Sequence, residues 1–180
     1  MLARTFTKIL DESIVPAVII IAGKILGLTL ANIVNNLPYT IMTGGSILPW
    51  TVVYNSTSEG NIANTFSNLV MYLVVFSGFL VVLIRAHYLH DTHLPPKLAG
   101  RLLKLRLFHF VTTTFEIYHQ ALVWLSFLWI TTLVLFFYTL GGGSITITMI
   151  GFLLSFIATY LYMKDVDVEI ETEKMLRETH

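Results

Sequence analysis

Cysteine is absent from these 180 residues, so no disulfide framework, thiolate metal centre or cysteine nucleophile is open to the chain. Charge is scarce: Asp, Glu, Lys and Arg make up 12% of the residues, where a soluble domain carries about 25%. Acids and bases balance at eleven each, which removes the usual electrostatic warrant for nucleic-acid binding, and no nucleic-acid partner is expected. A Gly-rich phosphate loop, a Ser-His-Asp arrangement and a zinc-protease signature are all missing, so a non-enzymatic role is favoured.

What the chain has in excess is apolar surface. Hydrophobic residues reach 55% with a mean hydropathy of +0.74, more than a water-soluble fold of this size can hide. Four stretches, 14–34, 66–84, 121–140 and 145–163, approach the roughly 20 apolar residues that a membrane-crossing helix needs. The expected fold is all-α: a polytopic transmembrane four-helix bundle over 1–163, followed by an acidic tail over 164–180. The first apolar run is long enough to span and is expected to stay in the mature protein.

Basic residues are distributed unevenly. Arg85, Lys97, Arg101, Lys104 and Arg106 fall in one connection, while 35–65 and 141–143 contain none. Basic loops stay on the cytoplasmic side of a bilayer, so both termini are expected there, in a multi-pass protein of the cell membrane. Pro95-Pro96 breaks any helix continuing from the second run. The segment 97–120, which mixes leucines with bases, reads as an amphipathic helix at headgroup level, and the third helix is open to an earlier start, from Leu107. Gly141-Gly142-Gly143 predicts a tight turn. The tail alternates acids with Val166, Val168 and Ile170, a strand period, with a frayed end as the alternative. The segment 35–65 is apolar yet broken by Pro38, Gly44, Gly45 and Pro49, which suggests a re-entrant or interfacial excursion, or a loop capping the bundle mouth.

Lys24 is the most informative single residue. It lies near the middle of the first run, where an ammonium costs roughly 2.5 to 3.5 kcal/mol unless it is paired or faces water. The competing reading shifts the span to begin at Ile25, which leaves Lys24 at its edge. Asn32 and Asn35 follow on the same run as polar lining. Glu116, with His119 beside it on a polar face of the third helix, would stabilise Lys24 by pairing with it if their depths match; since Glu116 precedes its apolar run, the alternative is an interfacial polar face just below the bilayer.

Two stripes of small residues, Gly23, Gly27 and Ala31 on the first run and Gly151, Ser155 and Thr159 on the fourth, recur at four-residue spacing and permit close helix approach. Packing within one bundle explains either stripe; two of them leave one for a homo-oligomer. His87, His90 and His93, with His109 further on, have the spacing of a possible metal site, and haem ligation is a weaker option. Headgroup-level histidines are the plainer reading, and their titration range would also suit a pH sensor.

Three functions remain. The first is conduction or transport of a small ion or solute by an oligomeric membrane protein, with Lys24 as its selective charge. The second is a non-catalytic accessory subunit of a larger membrane complex, and the third a metal- or haem-binding redox subunit. The lipid bilayer is the partner common to all three.

Overall fold

The computed structural model describes residues 2–43, 50–88, 100, 101, 104 and 114–178. Four long helices carry the fold: α1 (Leu2–Asn35), α2 (Thr57–Tyr88), α3 (Thr114–Leu140) and α4 (Ile145–Glu178). Each contains a stretch long and apolar enough to cross a membrane, namely Leu10–Asn35, Thr57–Tyr88, Thr114–Leu140 and Ile145–Thr172. The chain is a multi-pass membrane protein by this criterion. Helices suit such sequences because hydrocarbon offers no partner for a backbone N–H or C=O, and a helix satisfies both internally.

The helices are longer than the apolar runs. α2 begins at Thr57 because Ser56 and Glu59 form a capping box: Glu59 N–H donates to Ser56 Oγ and Ser56 N–H to Glu59 Oε2, both at 3.2 Å. α1 ends at Asn36, which takes the left-handed conformation (φ 48°), and Leu37 N–H closes back onto Asn32 O. Gly142 does the same for α3 with φ 91°, a conformation that favours glycine, so the predicted tight turn between α3 and α4 is present.

The connection after α1 gains regular structure, and the tail departs from its expected form. The connection after α1 is a two-stranded antiparallel hairpin, β1 (Tyr39–Thr43) with β2 (Trp50–Tyr54), in register Tyr39 with Tyr54 and Thr43 with Trp50. Ile41, Val52 and Val53 favour strand by β-branching, and the fold is therefore helical with one small sheet. The tail is neither strand nor frayed up to Glu178, since α4 runs through it. Asp165 and Glu169, four residues apart, share a helix face and turn inward, Glu169 being buried, and this contact overrides the period-two pattern. Of the segment 97–120, the residues from Thr114 onward are the start of α3, and most of the remainder lies outside the described residues.

α2 is the hub. It packs most extensively on α1, then on α3, and more lightly on α4, while α3 packs on α4. Its inward face of Tyr72, Val75, Phe79 and Val82 meets Ile117, Trp124, Leu128 and Leu135 of α3 and Ala158 of α4. Ile14, Val15 and Val18 of α1 and Leu153 and Phe156 of α4 are exposed, as expected of surfaces that lipid covers.

A buried polar knot joins three helices. Tyr72 Oη donates to Gly151 O at 2.8 Å and lies 2.9 Å from Ser155 Oγ, which is 2.7 Å from Thr132 Oγ1. Thr132 gives its own hydrogen to Leu128 O, so Ser155 spends its single hydrogen on Thr132 and accepts from Tyr72, whose hydrogen is shared with Gly151 O. Tyr72→Phe is expected to lower stability by about 1 kcal/mol, the scale of hydrogen bonds within membranes, because Ser155 keeps Thr132. Detergent-titration unfolding measures it.

Candidate functional site

Gly27 allows α1 and α2 to touch. A Cβ placed there would stand 2.6 Å from Ser67 Cα and 2.8 Å from Ser67 O, and one at Gly23 would stand 3.1 Å from Met71 Cα. The first small-residue stripe therefore faces α2, with Ala31 fully buried on the same side. In the second stripe, Gly151 and Ser155 meet Tyr72, and Thr159 accepts from Trp129 Nε1 at 3.0 Å. Both stripes face helices of this same chain, and neither is the spare face from which an oligomer was argued.

The close approach puts the middle of α1 beside the middle of α2. Ser67 Oγ donates to Lys24 O at 2.7 Å, and Lys24 Nζ donates to Asn68 Oδ1 at 2.5 Å. Lys24 is about 21 Å along the helix from Leu10 and about 16 Å from Asn35 at 1.5 Å per residue, so it sits well inside the span. A span beginning at Ile25 would have only the remainder of α1 before the chain turns at Asn36, too little to cross, so the shifted register is excluded.

Of the two readings of Glu116, pairing with Lys24 is not the one found, and the partner of Lys24 is Asn68. Glu116 is exposed in the first turn of α3. One turn further on, His119 Nδ1 lies 2.6 Å from Glu12 Oε2, and Glu12 precedes Lys24 by about 18 Å of helix. Depth separates the two charges. Among the described residues no acid stands within ion-pair distance of Lys24.

Lys24 and Asn68 open onto a cleft of about 790 Å³ between α1, α2, α3 and the hairpin. Ile20, Ile21, Ile25, Leu28, Met71 and Val134 form its apolar wall; Asn64, Tyr54 and Tyr138 supply further polar atoms. Tyr54 Oη donates to Asn32 Oδ1 at 3.0 Å, anchoring the hairpin to α1, and Tyr138 Oη is 2.9 Å from Thr65 Oγ1. A second recess of about 350 Å³ shares Ile25, Leu28 and Val52 with the cleft and continues along α1 past Asn32 to Ile33, Tyr39 and Ile41. Asn32 thus borders the site. Asn35 does not: its amide donates to Ala31 O of its own helix.

The histidines serve as ties at the other end of the bundle. His87 Nδ1 lies 2.6 Å from Asp165 Oδ1, and Tyr118 Oη donates to Asp165 Oδ2 at 2.9 Å, joining α2, α3 and α4. A carboxylate only accepts, so the ring nitrogen carries the hydrogen. His90, His93 and His109 lie outside the described residues. Among the described residues no three His, Asp or Glu side chains gather as a metal ligand set. Asp165→Ala is expected to lower stability by about 1 kcal/mol, since it removes the shared acceptor of the Tyr118 hydroxyl and of the half-exposed His87 ring. A downward shift of the detergent unfolding midpoint checks this.

Sequence reasoning missed Asn68, Ser67, Tyr72, Glu12 and Asp165. The signal for Asn68 was available: with the Ser56–Glu59 box starting α2 at Thr57, residue 68 lies three turns inside the helix, not at its membrane edge. No protein family, curated protein or solved structure matches this chain.

Proposed function

We propose that the chain moves a small anionic solute across the membrane, with Lys24 and Asn68 as its recognition centre. One observation carries this reading: a mid-span ammonium whose partner is a neutral amide borders a cleft of about 790 Å³. An intramembrane cation without a counter-charge is costly, and an anionic ligand supplies the missing charge. The bundle axis is closed by Tyr72, Phe79 and Leu128, so the solute's route follows the cleft between α1, α2 and the hairpin. Both termini and the basic connection lie on the cytoplasmic side, on the warrant of the basic-residue distribution, and the hairpin faces the opposite compartment.

Purified protein in proteoliposomes tests this with chloride, phosphate and the permanently charged hexanesulfonate as tracers. Wild type is expected to pass at least one of them and Lys24→Ala to pass it at least about tenfold more slowly, the loss of one charge-assisted contact. Absence of flux for every tracer, or equal flux in Lys24→Ala, removes the proposal.

A further inference from the structure

The chemistry of the cleft narrows the class of anion. Seven aliphatic and thioether side chains line the cleft beside one ammonium, the amides of Asn64 and Asn68 and the hydroxyls of Tyr54 and Tyr138, and among the described residues no arginine borders the space. A dianion such as phosphate presents several strong acceptor oxygens, which proteins meet with bidentate guanidinium groups or clustered backbone N–H donors. A strongly hydrated small anion would lose its water against mostly aliphatic walls, with one ammonium and a few neutral amide and hydroxyl groups in exchange. A monoanion carrying a hydrocarbon body loses little, because its tail gains from the same walls that penalise a polar ion.

The shape agrees. The cleft and the adjoining recess share Ile25, Leu28 and Val52, so one mostly apolar track, interrupted by Thr29 and Asn32, runs from Ile21 to Ile33. It is about 18 Å long at 1.5 Å per residue, with Lys24 toward one end and the hairpin residues Tyr39 and Ile41 at the other. The combination is asymmetric: a single charge toward one end, then a mostly apolar track. We infer that the Lys24 cleft binds a single-chain amphiphile with a monoanionic acid head, a fatty carboxylate in the simplest case, its head on Lys24 and Asn68 and its tail running under the hairpin. The inference rests on the cleft being the ligand site, and not on translocation.

Photolabelling of the full chain in nanodiscs tests it, with myristate bearing a diazirine at the tail end and with the methyl ester of the same probe. The acid is expected to label peptides containing Ile33, Tyr39 or Ile41. Labelling should fall at least about tenfold for the methyl ester and for Lys24→Met, the scale of a lost charge-assisted bond, and persist in Lys24→Arg. A circular-dichroism spectrum matching wild type shows that Lys24→Met is folded. Equal labelling by acid and ester, equal labelling of Lys24→Met, or labelling spread over outward residues such as Phe156 overturns the inference. Chloride flux that depends on Lys24 without acid labelling at the track leaves the transport proposal standing and refutes the amphiphile. Acid labelling that depends on Lys24, in a protein that moves no tracer, supports the amphiphile and refutes transport.

Discussion

Gly27→Ala is expected to lower the stability of the folded bundle by about 2 to 3 kcal/mol, the cost of overpacking against an obstacle that cannot rotate away. The added methyl would meet the backbone of Ser67, at 2.6 Å from Cα and 2.8 Å from O, and neither atom can yield unless α2 moves. That movement also breaks the bond from Ser67 Oγ to Lys24 O and draws Asn68 away from Lys24 Nζ. The same substitution at Gly60 is the control. Its Cβ would meet only Tyr54 Cδ2, at an ordinary 3.6 Å, in the first turn of α2. Gly60→Ala is expected to leave stability unchanged or raise it by up to about 1 kcal/mol through helix propensity. Detergent-titration unfolding followed by circular dichroism compares the two. Equal effects would mean that α1 and α2 are not held at this separation.

Removing Lys24 and removing its partner should act in opposite directions. Asn68→Leu leaves an ammonium among aliphatic side chains with its hydrogen bond gone, at an expected cost of about 2 to 3 kcal/mol. Lys24→Met replaces the charge with an apolar side chain of similar length, and is expected to match wild type or exceed it, as replacement of buried charges commonly does. The double variant should come within about 0.5 kcal/mol of Lys24→Met, because the second substitution then has no charge to strand. A strictly additive double variant would show that Lys24 and Asn68 are energetically independent. Lys24→Met should lose tracer flux while keeping its fold, which is the signature of a residue retained for function at the expense of stability.

Different features of the chain were legible to different degrees. The four apolar stretches needed only composition and length, because twenty apolar residues in a row have few other outcomes. The Gly141–Gly143 turn was equally plain, since Gly142 takes a positive φ. Helix bounds were less so: hydropathy reports where the hydrocarbon is, and a helix continues beyond it until a cap or a break, as at Ser56 and Asn36. The strand-like alternation of the tail was overridden by the tie of Asp165 to His87 and Tyr118.

The importance of Lys24 follows from its place in the chain alone, since a cation in the middle of an apolar run is costly wherever the other helices lie. Its partner does not follow, because pairing depends on depth and on which helix stands opposite. Glu116 has the right charge and the wrong level; Asn68 has no charge and the right level, because Gly27 lets α2 come close enough to deliver it. The cleft likewise belongs to no single segment. It exists because α1, α2, α3 and the hairpin converge around Lys24 without filling the space, an outcome of packing that one-dimensional pattern does not encode.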